Sequence, residues 1–186
     1  MSTALLAATY QFFLEGLAPL ALIIAHREPL ESFGLKRANV VRSLLLGVLL
    51  AIIYDAGLSL HAGAVLWIPL RRQPAVRMSL AAGFPLGLIG ICVTVVTWGA
   101  LEGFFGVYFW KKTSRVLAVS ESGWLAPGVL AFALFNGAIH LIVGQGLEGF
   151  VTSFASGYAI AVIPALTGNA WGSLLLQTLT NAVGRP

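Results

Sequence analysis

Six stretches of this sequence, residues 3 to 25, 43 to 69, 79 to 110, 124 to 145, 149 to 166 and 169 to 184, are apolar over nearly their whole length. A helix needs roughly 20 such residues to cross the hydrocarbon core of a bilayer, and the first four runs meet that length. The last two are short for a full crossing. Continuous apolarity also excludes a transmembrane barrel, whose strands alternate apolar and polar over about ten residues. Composition agrees: 58% of residues are hydrophobic and 10% charged, against roughly 25% charged in a soluble domain, and the mean hydropathy is +0.89. The expected fold is therefore all-α, a polytopic transmembrane helical bundle of about six membrane helices. No internal repeat, low-complexity tract or linker divides the chain, so residues 1 to 186 are read as a single integral membrane domain.

The second and third runs exceed a perpendicular span, so they must tilt or bend, and Gly83-Phe84-Pro85 is the natural break in the third. The N-terminal run has no basic leader and carries Glu15, which marks it as a retained helix. Charged residues collect in the connections HREPLESFGLKRANVVR (26 to 42), RRQPAVR (71 to 77) and KKTSR (111 to 115). If each run crosses once, the first and third connections share a side bearing seven Lys/Arg, against four opposite, which places that side in the cytoplasm and both termini outside. The net charge of +4 is thereby a matter of topology, and no nucleic-acid surface is implied. The lone Cys92 allows no intrachain disulfide.

Ionisable side chains at membrane depth cost roughly 2.5 to 3.5 kcal/mol each on insertion scales, so each asks for a reason. Glu15, Asp55, His61, Glu102 and His140 are in that position. Amides join them: Asn136 with His140, and Gln177 with Asn181, are four apart and so stack on one helical face. At 1.5 Å per residue Glu102 lies roughly 13 Å from the Lys111 boundary, Gln177 roughly 12 Å, Asn181 roughly 18 Å and His140 roughly 20 Å from their helix starts. All are mid-bilayer depths, which permits one shared polar cavity. Interhelical hydrogen bonds, worth about 0.6 kcal/mol on average, would account for an isolated amide. They account less well for Glu102, His140 and Asn181 on three separate helices. Asp55 and His61 are six apart, so they do not form a simple pair, and packing or rim roles suit them and Glu15. Gly99-x-x-x-Gly103, with Gly106 beyond, lets another helix approach the Glu102 face closely.

These residues resemble the CPBP intramembrane proteases, which include type II CAAX prenyl endopeptidases and bacteriocin-processing proteins. The segment Leu101-Glu102-Gly103-Phe104-Phe105-Gly106-Val107-Tyr108-Phe109 is similar to the family's Glu-Glu-x-x-x-Arg stretch. Asn136-Gly137-Ala138-Ile139-His140 resembles its Phe-x-x-x-His motif. Thr167-Gly168-Asn169-Ala170-Trp171, followed by Gln177-Thr178-Leu179-Thr180-Asn181, resembles the third motif, His-x-x-x-Asn. Residues 33 to 47 look like the Gly-Leu-Arg-Arg stretch that precedes a family helix, so the likeness covers about 33 to 183. In this registration Leu101 stands at the first glutamate, Gly106 at the arginine and Gln177 at the third-motif histidine, while Glu102, His140 and Asn181 match. Shifting by one residue puts Glu102 on the first glutamate, Gly103 on the second and Val107 on the arginine.

The resemblance implies a CPBP-like fold in a bacterial-type cytoplasmic membrane. It assigns Glu102 or His140 as base on water, Gln177 and Asn181 as donors to the oxyanion, and Asn136, Phe105 and Gly106 to the cavity wall. Peptide hydrolysis needs a base and preorganised donors, and the replaced positions impair both. A catalytic zinc normally takes three protein ligands such as His₂Glu, which one His, one Glu and amides do not supply, so no metal or other cofactor is implied. The favoured expectation is a catalytically degenerate member that binds an isoprenoid-type ligand, lipid or partner membrane helix as an accessory or assembly subunit. The alternative is an active endopeptidase cutting a hydrophobic or lipidated peptide near its membrane end. A transporter is a third class, for which no inverted repeat speaks.

Overall fold

The computed structural model describes residues 9 to 65 and 81 to 182, and within them every regular element is helical. Helix α1 spans Thr9–Ala25 and α3 Leu86–Val116. Helix α2 is Val40–Ala62, α4 Pro127–His140 with a wide turn Leu141–Gln145, α5 Gly146–Thr167 and α6 Trp171–Ala182. Among the described residues three helical stretches are long and apolar enough to cross a membrane: Val40–Ala62, Leu86–Val116 and Pro127–Thr167. The third is a hairpin. Gly144 (φ 85°) and Gly146 (φ 66°) adopt the positive φ that only glycine takes readily, and the chain turns back there. Helices α4 and α5 then run antiparallel, so that Gly137 lies on Phe150 and Gly157 on Asn136.

The helices sit on the apolar runs that the sequence outlines, and α3 starts at Leu86, just after the expected break at Gly83-Phe84-Pro85. Expected helical residues 3 to 8, 66 to 69, 79 to 80 and 183 to 184, and the cations Arg71, Arg72, Arg77 and Arg185, lie outside the described residues. Helix α5 is longer than its apolar run, at 22 residues. Helix α6, at 12 residues, rises only about 18 Å and does not have the length to cross. It is instead an inner helix, with Ser173, Leu176, Gln177, Thr180 and Asn181 buried.

Close backbone approach holds α6 in place, as expected where small residues replace hydrophobic contrast in a lipid-embedded bundle. A Cβ on Gly47 of α2 would sit 2.4 Å from Gly172 O, and one on Gly103 of α3 would sit 3.0 Å from Ser173 O. Gly106 does not open a cavity. It is filled over by Ile160 and Phe132. Phe105 belongs to the same aromatic packing, its ring 6.1 Å from those of Phe132 and Phe135.

The first and third basic connections meet at one end of the bundle. Glu28 accepts from Lys112 and, at 2.6 Å, from Arg115 Nη1, while Lys111 pairs with Glu121. Phe33, fully buried, stacks on Tyr108 with centroids 5.7 Å apart and carries the Lys112 ammonium and Arg115 guanidinium on its face. Asn169 ties the same end together. Its Nδ2 donates to Lys36 O at 2.7 Å and Ala38 O at 2.8 Å, and its Oδ1 accepts from Trp171 N at 3.0 Å. Asn39 Nδ2 donates to Thr167 O at 2.8 Å. His61, near Glu148 at 4.0 Å, marks the opposite end.

Candidate functional site

In the half of the bundle remote from the charged end, the helices line a polar cavity of about 300 Å³ that is open on its His140–Gln145 side. Five residues that the sequence singles out border it: Glu102 from α3, Asn136 and His140 from α4, and Gln177 and Asn181 from α6. The spacing of four puts each α4 and α6 pair on one inward face. The glycines Gly99 and Gly103 let α6 lie directly on α3, where a Cβ on Gly99 would meet Thr178 Oγ1 at 2.3 Å. Gly106 and Phe105 border the aromatic packing instead of this cavity.

The wall contains residues that apolar-run reading passes over. Gln11 of α1, Tyr54 of α2, Trp98 of α3, and Ser153 and Ser156 of α5 all line it. Trp98 Nε1 donates to Gln11 Oε1 at 2.6 Å, which fastens α1 to α3. Glu15, one turn along α1, accepts from Gln11 and lies within electrostatic reach of Glu102. The signal for Gln11 was available, since it stands four residues before Glu15 and shares its face. For Asp55 the neighbour Tyr54, and not the carboxylate, borders the cavity.

Three wide helical turns of the i→i+5 type surround the cavity, at Phe12–Leu17, Val93–Leu101 and Leu141–Gln145. Such turns recur at functional sites because they shift the phase of the side chains that follow. Here they adjoin Gln11, Glu102 and His140 respectively.

The hydrogen bonds decide which groups face the cavity with capacity to spare. Asn181 Nδ2 donates to Trp98 O. Asn136 Nδ2 donates to Ser153 O at 2.8 Å, and His140 Nδ1 bonds Gln145 Oε1 at 2.9 Å. Gln177 Oε1 receives Ser156 Oγ and Thr180 Oγ1, both at 3.5 Å. The Gln177 Nε2 group donates to nothing among the described residues, and His140 Nε2 is likewise open. So the cavity offers an amide donor and an imidazole nitrogen, with Glu102 in the same wall. Among the described residues no three His, Cys, Asp or Glu side chains converge, and the donor set does not fit a catalytic zinc.

Comparison with family models, with curated proteins and with solved structures returns no match for this chain.

Proposed function

We propose that this chain is an integral membrane protein of CPBP-like architecture, in a bacterial-type cytoplasmic membrane, whose central cavity binds the polar group of a hydrophobic ligand or partner helix without cutting it. One observation carries the reading. Of the two amides that hydrolysis would need for an oxyanion, Asn181 is tied to the Trp98 carbonyl, which leaves only Gln177 Nε2 open, and the wall amide Asn136 is tied to Ser153. A carbonyl or hydroxyl of an isoprenoid-type or lipid ligand would accept from Gln177, and Glu102 and His140 would orient its polar end. A cavity of about 300 Å³ matches the lower end of small-molecule sites, roughly 300 to 1,000 Å³. An accessory or assembly role follows if the occupant is a helix of a partner membrane protein.

Native mass spectrometry and an absorption spectrum of protein purified into nanodiscs test this reading. A stoichiometric pigment, lipid or partner subunit is expected, with occupancy reduced about tenfold in Gln177→Met, the effect of removing one well-placed bond of about 1.4 kcal/mol. Empty wild-type protein refutes it.

A second reading, an intramembrane endopeptidase, is favoured by one fact: Glu102 and His140 border the same cavity. It requires cleavage of a hydrophobic or lipidated peptide that Glu102→Gln and His140→Ala both abolish while the protein still folds. Cleavage that survives both substitutions rules it out.

A further inference from the structure

A second cavity, also of about 300 Å³, opens at the charged end between the Glu31 to Lys36 segment, the end of α3 around Trp110 and Lys111, the Glu121-Ser122 connection, and the end of α5 from Pro164 to Gly168. Its walls are held from behind. Asn169 Nδ2 bridges Lys36 O and Ala38 O, and Ala170 N donates to Gly34 O at 2.9 Å.

The charges in its wall are unevenly matched. Lys111 is paired with Glu121, which Arg115 Nε also approaches at 3.6 Å. Lys36 and Glu31 line the same cavity, yet among the described residues neither side chain enters an ion pair or hydrogen bond. Two further wall residues carry polar atoms shielded from water and without a partner, Trp110 Nε1 and Ser32 Oγ. Trp110 itself is only 5% exposed. The location narrows what this cavity takes. Charged residues crowd this end while the helices beyond it are apolar, so it lies at the depth of lipid headgroups.

We propose that this cavity holds a zwitterionic phosphoethanolamine-type headgroup of a bilayer lipid, with its phosphate against Lys36 and its ammonium against Glu31. Both residual charges are then matched. Inorganic phosphate or a purely anionic headgroup would leave the Glu31 carboxylate facing like charge, and a choline headgroup has no N–H to give it. The site is separate from the central cavity, and its occupancy does not depend on what that cavity binds.

The test is lipid retention. Full-length protein is reconstituted in nanodiscs with equal phosphatidylethanolamine, phosphatidylglycerol and phosphatidylcholine, then delipidated stepwise and weighed by native mass spectrometry. The ethanolamine lipid should be retained preferentially. Lys36→Gln should lower its retention about fivefold, the effect of one cation beside a lipid phosphate. Glu31→Gln should abolish the preference for ethanolamine over glycerol headgroups. Both positions are surface residues, and melting of each variant with the wild type confirms that it folds. Equal retention of the three lipids, or variants that retain the ethanolamine lipid as wild type does, overturns the proposal. Displacement of the lipid by millimolar inorganic phosphate also overturns it, by identifying a free-phosphate site.

Discussion

Replacing Gly172 with alanine should loosen the whole molecule, because α6 crosses α2 at a distance only glycine allows. A Cβ at Gly172 would stand 2.0 Å from Ser43 O and 2.7 Å from Ser43 Oγ. A carbon normally meets a carbonyl oxygen at about 3.3 Å, so the two backbones must part by about 1.3 Å. Neither atom belongs to a flexible tip that can swing aside. Overpacking of this kind costs about 1–3 kcal/mol. The separation also strains the 2.8 Å bond from Gly172 N to Ser43 Oγ, worth about 1 kcal/mol. The expected loss is thus about 2–4 kcal/mol, or a Tm lower by about 4–16 °C for a chain of this length. Gly57, on the same helix α2, has nothing within 4 Å of its would-be Cβ. There alanine should raise stability by about 0.5–1 kcal/mol through lower backbone entropy in the unfolded chain. Thermal unfolding of both variants in one detergent, followed by circular dichroism, compares them directly. If Gly172→Ala melts with or above Gly57→Ala, the close crossing of α6 on α2 is wrong.

Asn169→Ala removes both donors that bind Lys36 O and Ala38 O and the acceptor for Trp171 N; a loss of about 2–4 kcal/mol is expected in the same assay, with faster proteolysis in the 30 to 39 segment. Acid should destabilise the charged end: the hydrogen bond from Lys112, with a second from Arg115, holds the Glu28 carboxyl below its ordinary value of 4.5. The resulting stability is present above that value and lost as pH falls through the lower folded-state value, so Tm should drop on acidification below about pH 4, and Glu28→Gln should flatten that part of the profile. Sidedness is checked by labelling. In a Cys92→Ser background, Ala38→Cys and Ser120→Cys should react with a membrane-impermeant maleimide from one face, the cytoplasmic one, and Ala64→Cys from the other. Reaction of positions 38 and 120 from opposite faces would contradict the shared charged end.

How far the sequence carries depends on which physical signal each feature leaves. Apolar length is a strong signal in lipid, so α4 is found at 127 to 145 where 124 to 145 is expected, and α6 at 171 to 182 where 169 to 184 is expected. Period 3.6 is nearly as strong, and it suffices to put Asn136 with His140 and Gln177 with Asn181 on one cavity. What leaves no such trace is a polar side chain acting across the chain. Asn169 enters the sequence reading only as part of a motif stretch, and its partners at Lys36 and Ala38 are more than a hundred residues away. Ser153 and Ser156 are equally silent, since a serine in an apolar run costs little wherever it points. Gly106 shows the reverse case: a glycine invites the idea of open space, but the bundle fills that space with Phe132 and Ile160.

The wide turn at Val93–Leu101 bears on the one-residue ambiguity in the Leu101-Glu102 motif. Adjacent helical residues point about 100° apart, so Leu101 and Glu102 cannot both face the cavity. A sequence reading must assume a regular period to choose between them, and a turn of the i→i+5 type breaks that period immediately upstream. The packing shows which of the two residues borders the cavity. Glu102 borders the cavity, whereas Leu101 lies over Gly16 of α1, with its Cδ1 2.5 Å from where a Cβ of Gly16 would be. A glutamate at position 101 would therefore be aimed at α1 and not at His140 or Gln177. Helix α1 brings its own carboxyl to that place, because Glu15 stands one residue before Gly16 and within electrostatic reach of Glu102. Glu102 in the cavity wall and Glu15 within its electrostatic reach thus come from two helices some ninety residues apart in sequence. No motif confined to one helix can display both; the Gln11–Trp98 hydrogen bond and the packing of Leu101 over Gly16 dock α1 on α3.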